Sequence, residues 1–390
     1  MGVIGRGTLP ANYEDFANSV TQGLVLPQPE PQYLFAHFAM AARISLAALN
    51  AGMQTAQQFV QAASGGAPVA PGLDRLVRTA DMYPGAIQAV DVFGLGMGDT
   101  VKFQRPQFST GGLTEASREL NTNTTISTTG QTIKAEEVPV TLKEYHGPYG
   151  GSGSAVQPYA IWGFDGKFRA NKLNLAAVTT KHLARDYTYW LDTVIRDRFR
   201  QSGYTTLSDS SLTDASSFVA GGGAVFSLEA ILRARKTLTD RNWQPFDNGR
   251  YLCLVPTSFN TDMVADVDYR ELSKVHTDGR NQLFGYIGSV QDIDFFECST
   301  TKRYAAASVV PGDLTGTVAS GVTLEEALLI GPGAIGMGTA APDPEGVAGP
   351  VARFADDTNY GTVAKVIWYA LHAFQHLDTR GVQRILAQST

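Results

Sequence analysis

Gly331, Gly333 and Gly336 spell GxGxxG directly after the apolar run ALLI, the lettering of a dinucleotide-binding turn. In such a turn the glycines open a helix whose first backbone N–H groups hold a pyrophosphate. Here the chain continues into Met337, Gly338, Pro342 and Pro344, and a proline-broken segment offers no helix to supply those amides. The three residues read as turn glycines without a ligand, and GLGMG at 94–98, which leads into a strand, reads as a bend. His372 and His376 are spaced as a zinc pair on a helix would be, but no glutamate base accompanies them. Their segment reads as a strand, where both share a face and pack among aromatics. Asp356 and Asp357 bring too few oxygen ligands for calcium and read as solvated loop carboxylates. Cys253 and Cys298 form no CxxC, so neither a zinc site nor a disulfide framework is indicated; they read as buried thiols made in a reducing cytoplasm. No Ser-His-Asp, Cys-His or paired-acid arrangement emerges from spacing. No catalytic, cofactor-binding or metal-binding residue is assigned.

The elements that would carry such residues are themselves legible. From about Leu175 to Gln201 the residues Leu183, Tyr187, Trp190, Leu191, Val194, Ile195 and Phe199 repeat at three-and-four spacing, which predicts a long helix buried along one stripe, ended by Gly203. Asp192 and Arg196 read as an acid-before-base pair one turn apart on its wet side. Ser227 caps a predicted helix carrying Leu228, Ile231, Leu232 and Leu238. Strands are expected at YLCLV (251–255), QDIDFFEC (291–298) and LEEALLI (324–330). VAKVIWYALHAF at 363–374 is too aromatic and β-branched to prefer a helix and is read as strand. There is no internal repeat.

Residues 99–147 look like a long β-hairpin with little to fold around. The outgoing arm places Val101 and Phe103 on one side, and the return arm alternates Val138, Val140 and Leu142 against Glu137, Thr141 and Lys143. Between them lies a polar span holding Gly111, Gly112 and the NTNTTISTTG tract. Ordering such a ribbon costs more backbone entropy than its few apolar side chains return, so its order is expected to come from a neighbouring subunit. Arg118, Glu119, Lys134, Glu136 and Glu137 are the candidate pairing charges at that contact.

Composition narrows the classes. At 390 residues with 43% apolar content the chain can bury a real core. Its 40 glycines and 18 prolines predict many turns. A formal charge of −6 argues against a protein whose main work is gripping nucleic acid. The start MGVIGRGTLP has no basic-then-apolar signal pattern, and Arg6 stands where myristoylation needs Ser or Thr. From Tyr33 to Ala63 the chain is rich in Ala, Gln, Leu and Phe, apolar nearly all round. His37 and Arg43 interrupt its best membrane window, which favours a helix buried between packed partners over a span.

Taken in order, these pieces resemble the major capsid proteins of tailed bacteriophages, the Hong Kong 97 fold, over about residues 70–390. The most specific stretches are GDTVKFQRP at 98–106 with LTEASREL at 113–120, similar to the family's entry into its extended loop. LRARKTLTDRNWQPFDNGRYLCLVPTSFNTDMVAD at 232–266 comes next, then LFGYIGSVQDIDFFECST at 283–300, then FADDTNYGTVAKVIWYALHAFQHLDTRGVQRI at 354–385. Where related chains place a second glycine after the GxxG turn, this one has Gln291 and Asp292. The resemblance implies an α+β fold. Its expected parts are an N-terminal arm with an Ala-rich helix (1–75), an entry to the peripheral domain (76–98) and the extended β-hairpin loop (99–147). A peripheral domain with a long spine helix (148–203), an inserted axial domain (204–355) and returning peripheral-domain strands (356–390) complete it.

The implied function needs no chemistry and no cofactor. Many copies, as hexamers and pentamers, would close into an icosahedral head shell around packaged double-stranded DNA, in a virion assembled in the bacterial cytoplasm. Portal, scaffolding and cement proteins are the further partners it implies; contact with DNA would be non-specific, and no membrane is involved. Two rivals remain at this level: an encapsulin-like cargo compartment sharing the fold, and a nucleotide-binding cytosolic enzyme built on GPGAIG. A membrane-anchored protein using residues 33–49 is a third and more distant one.

Overall fold

The computed structural model describes residues 33–63, 71–92, 98–106, 135–148, 159–162, 175–266, 283, 285–311, 314, 316–341, 349–356 and 363–389. Helices α1 (Leu34–Asn50), α2 (Ala56–Ala63) and α3 (Pro71–Met82) precede strand β1 (Ile87–Val92). Strands β2 (Thr100–Pro106), β3 (Ala135–Thr141), β4 (Lys143–Gly147) and β5 (Tyr159–Trp162) lead to the long helix α4 (Leu175–Phe199) and strand β6 (Thr205–Leu207). Then come α5 (Leu228–Asp240), β7 (Tyr251–Val255), α6 (Thr257–Ala265), β8 (Tyr286–Val290), β9 (Ile293–Glu297) and β10 (Arg303–Tyr304). Strands β11 (Leu324–Ile330), β12 (Ile335–Ala340), β13 (Val351–Asp356), β14 (Val363–His376) and β15 (Val382–Gln388) close the chain.

Strand β14 is the axis of the first sheet. Its β-branched and aromatic side chains favour a pleated conformation buried on both faces, and it pairs on both edges. Antiparallel β12 and β13 succeed one another along one edge, and β4 and β5 along the other, with β1 added parallel to β12. Alternation then divides the side chains. Val366, Trp368, Ala370 and Phe374 join the main core with α1 and α4, while Leu371 and Ala373 face the opposite way. On the helix side, α4 presents Leu183, Tyr187, Leu191, Ile195 and Phe199, all buried, with Trp190 and Val194 packed beside them. At 1.5 Å per residue α4 is roughly 37 Å long. The Ala-rich α1 is buried nearly all round, through Leu34, Phe35, Ala36, Phe38, Ala39 and Ala41. Among the described residues no helix is long and apolar enough to cross a membrane.

The opposite face of this sheet is covered by the root of the hairpin. β2 pairs antiparallel with β3 from Thr100 opposite Thr141 to Pro106 opposite Ala135. Val101, Phe103 and Leu142 are buried against Ala340, Leu371, Ala373 and Leu377 of the same chain. The expectation of a ribbon with little to fold around therefore fails at its root, where strand alternation drives Val101 and Phe103 into the chain's own sheet. Residues 107–134 lie outside the described residues.

The second sheet runs β6, β15, β11, β7, β9, β8, with β10 paired to β11. Helix α5 packs on it through Leu228, Ile231, Ala234 and Leu238, and Ser227 caps that helix by accepting the Ala230 N–H. Strands YLCLV and LEEALLI form at their expected positions, and QDIDFFEC contributes Ile293–Glu297. Sheet membership does not follow chain order. β12 and β13 pair in the first sheet, and β15 pairs in the second. The cause is hydrogen bonding across the chain: β11 and β12 are separated by one short turn yet pair with different partners. The chain thus crosses between sheets after β11 and again after β14.

Gly336 makes the hairpin root a sharp test of packing. A Cβ placed there would approach the buried Phe103 ring to 2.8 Å. Gly336→Ala is expected to lower stability by about 1–3 kcal/mol, the range for overpacking a core. Urea midpoints in a double-mutant cycle with Phe103→Leu should show the two sites coupled, the smaller side chain recovering part of the loss.

Candidate functional site

Each glycine of GPGAIG has a structural partner. The Gly331 N–H donates to Gly381 O at 2.9 Å and the Gly333 N–H to Gly85 O at 2.7 Å, so both amides are consumed by backbone. Gly333 takes a left-handed φ of +72°, which L side chains resist. Gly331 lies against the Trp243 indole and Gly336 against Phe103, where a side chain would collide. The turn opens strand β12, so no helix N-terminus is presented to a phosphate.

The remaining chemical candidates are also built into the core. His372 is fully buried on β14, with Nε2 2.9 Å from the Tyr187 hydroxyl and Nδ1 3.3 Å from Thr339 Oγ1. Burial, with Arg43 adding to it, pushes its pKa down to about 3. His376 is lowered in the same way by burial. Among the described residues no group of three His, Cys, Asp or Glu could hold a metal ion. Cys253 and Cys298 are free and buried. Burial pushes both thiols up, Cys298 to about 11, away from the thiolate that reactivity needs. Asp356 ends β13, and Asp357 lies outside the described residues.

Sequence reasoning missed the charges that the fold buries. Glu325 and Glu326, adjacent on β11, are both buried although their strand runs between apolar residues. Arg384 of β15, fully buried, donates from Nε to Glu326 Oε1 at 2.7 Å and also bonds the Pro311 carbonyl. Glu326 Oε2 accepts from Arg200 Nε at 3.1 Å and from the Tyr304 hydroxyl at 2.6 Å. Burial and then Glu326 push Tyr304 up to about 12. Glu325 bonds Ser258 and Arg303. Asp294 accepts from Tyr83 OH at 2.5 Å and Arg250 Nη1 at 3.0 Å. With their partners in place these groups tie the turn after α4 to β10, β11 and β15, a structural use of charge that is costly to break.

Asp192 corrects the reading of α4. It lies on the buried side of the helix, fully inaccessible to solvent. Its Oδ1 accepts the Ala36 N–H at 3.1 Å and its Oδ2 the Thr300 hydroxyl at 2.6 Å. Helix α1 begins at Tyr33 without a side-chain cap of its own, so Asp192 caps it from another element. Arg196 turns instead to Asp197 and to the Thr300 carbonyl. Burial, opposed by these hydrogen bonds, raises Asp192 to about 6.

Of the hairpin charges, Glu137 is exposed and pairs with Lys102 of the facing strand at 2.7 Å. Glu136 lies opposite Arg105 in the strand pair. Arg118, Glu119 and Lys134 lie outside the described residues.

No family model and no curated protein matches this sequence. Solved structures do match it in shape. The capsid of Ralstonia phage GP4 aligns with a TM-score of 0.55 at 12% identity, covering 78% of this chain and 87% of that one. The capsid asymmetric unit of cyanophage Pam1 aligns with a TM-score of 0.52 at 10% identity, covering 78% and 88%. This chain has the fold of phage capsid proteins. Within that fold Gly331 and Gly336 lie against aromatic rings, and His372, Cys253 and Cys298 are buried in the core.

The buried titratable groups give this capsid fold a defined acid response. His37, bonded to Thr79 and lowered by burial to about 3, and His372 have folded values below their ordinary 6.5. Their contribution is complete above pH 6.5 and is lost as pH falls toward 3. Asp192 has the opposite sign: its folded value is above 3.8, so it costs stability as pH rises from 3.8 through 6. Asp192→Asn should steepen the loss between pH 6 and 4 by about one proton, read from urea midpoints across pH.

Proposed function

We propose that this chain is the major capsid protein of a tailed phage, with many copies assembling into an icosahedral head shell around packaged double-stranded DNA. The observation that carries the reading is the shared architecture: two mixed sheets joined by a long helix match solved phage capsid subunits over 78% of the chain. In this reading the first sheet and α4 form the peripheral domain with its spine helix. The second sheet forms the axial domain, β2–β3 is the root of the extended loop, and residues 1–75 form the N-terminal arm. The role is structural and non-enzymatic, and its place is the virion. Hexamers and pentamers of this chain are the primary partners; portal, scaffolding and cement proteins are secondary ones.

The hairpin supports this reading through its division of labour. Val101 and Phe103 fix the root on the subunit's own sheet, which sets where the ribbon leaves the body. Beyond Pro106 the polar span, with Arg118, Glu119 and Lys134, and the acidic Glu136 and Glu137 are the charges we assign to contacts between copies. An exposed pair contributes at most about 1 kcal/mol, so cohesion would come from repetition over many contacts.

Electron microscopy of the purified full-length protein should show closed shells, and shells isolated from an infected host should contain DNA; enzyme cargo instead would favour a storage compartment. Deleting residues 108–132 should leave a folded, soluble subunit, because the buried root is retained, yet sedimentation should show no stable particles. Normal particles from that deletion would remove the hairpin from the assembly.

A further inference from the structure

On the shell reading above, which this step rests on, some face of each subunit must meet packaged DNA. The solvent side of α4 carries exposed Lys181, His182, Arg185 and Tyr189. Arg185 lies one turn beyond Lys181, about 6 Å along the axis, and Tyr189 one turn further. Beside them is an open groove of about 310 Å³ lined by Tyr33, His182, Arg185, Asp186 and Tyr189. The Tyr33 and Tyr189 rings meet edge to face with centroids 5.7 Å apart, and Tyr189 remains 54% exposed. Asp186, the one carboxylate among these lining residues, accepts the Trp368 Nε1–H at 2.6 Å. Burial raises its pKa, and the Trp368 hydrogen bond opposes that shift.

We propose that this face of α4 is the wall that meets the packaged duplex, with Lys181, His182, Arg185 and the tyrosine hydroxyls against its phosphate backbone. These are the side-chain types that contact phosphates without reading sequence. On a chain of net charge −6, a local run of cations complements a polyanion. Two or three phosphate contacts per copy bind weakly and without register, which suits DNA that must slide in and leave again.

The test uses full-length subunits and a duplex of about 30 base pairs, with affinity followed between roughly 50 and 200 mM salt. Lys181→Gln with Arg185→Gln should lower the slope of log affinity against log salt by about 1.8, so that the fourfold rise in salt costs about twelvefold less affinity than in the wild type. Lys181→Gln alone should lower it by about 0.9. Lys236→Gln with Lys302→Gln, an equal charge change at exposed residues elsewhere, should leave the slope unchanged. Equal slopes for the two double variants, or no wild-type binding at about 50 mM salt, would overturn the assignment. Sedimentation of each protein separates the two readings. Wild-type particles with an unaltered slope in the α4 variant sink this inference alone, whereas wild-type protein that forms no particles sinks the shell reading.

Discussion

The subunit is organised around a strand that must be dry on both faces. β14 alternates Val366, Trp368, Ala370 and Phe374 toward the helices with Leu371 and Ala373 toward the hairpin. A sheet with two apolar faces is stable only when both are covered. Helices α1 and α4 supply one cover. The root of the hairpin supplies the other, and it approaches closely because β12 offers Gly336 and Gly338 beneath Phe103 and Val101. Gly336 and Gly338 are thus explained by the space that Phe103 and Val101 need. Trp243, seated against both Gly331 and Gly381, repeats the device at the turn where the chain changes sheets.

Buried charge then locks what the apolar faces have placed. Arg384, Glu326, Arg200 and Tyr304 converge from four elements of distant sequence. Isolated, any of these would be expensive to bury; together each is hydrogen-bonded and the cost is offset. Geometry of this kind is directional where hydrophobic contact is not, so it fixes the register of the terminal strand β15 between β6 and β11. Asp192 does the same for α1, holding the first turn of a helix that has no polar cap of its own.

The parts of this fold legible in the sequence are those decided by local pattern. The stripe of α4, the Ser227 cap, the strand YLCLV and the β-branched run of β14 each arise from side-chain spacing within a dozen residues. What could not be read depends on partners far along the chain. The acceptor role of Asp192 is set by an N–H 156 positions away, and a helical pattern sees only its charge and its neighbour Arg196. Glu325 and Glu326 did carry a signal, two acids inside an otherwise apolar strand, but their partners come from Ser258, Arg303, Arg200 and Arg384. Sheet membership is non-local for the same reason: β11 and β12 are neighbours in sequence and belong to different sheets. In the candidate site the prolines flanking GxGxxG argue against a phosphate turn, while the side chains that demand glycine there, Trp243 and Phe103, lie outside any motif window.

An identity of 12% with a solved capsid of similar architecture fits this division. What the architecture requires is a dry double-faced strand, small residues where large ones press, and charges that arrive with their partners. Many sequences meet those requirements, because volume-conserving apolar exchanges cost little and surface charges contribute little one at a time. The hairpin root shows where freedom ends. Its two anchoring side chains and the glycines beneath them form one interlocking unit, so neither can change size without the other.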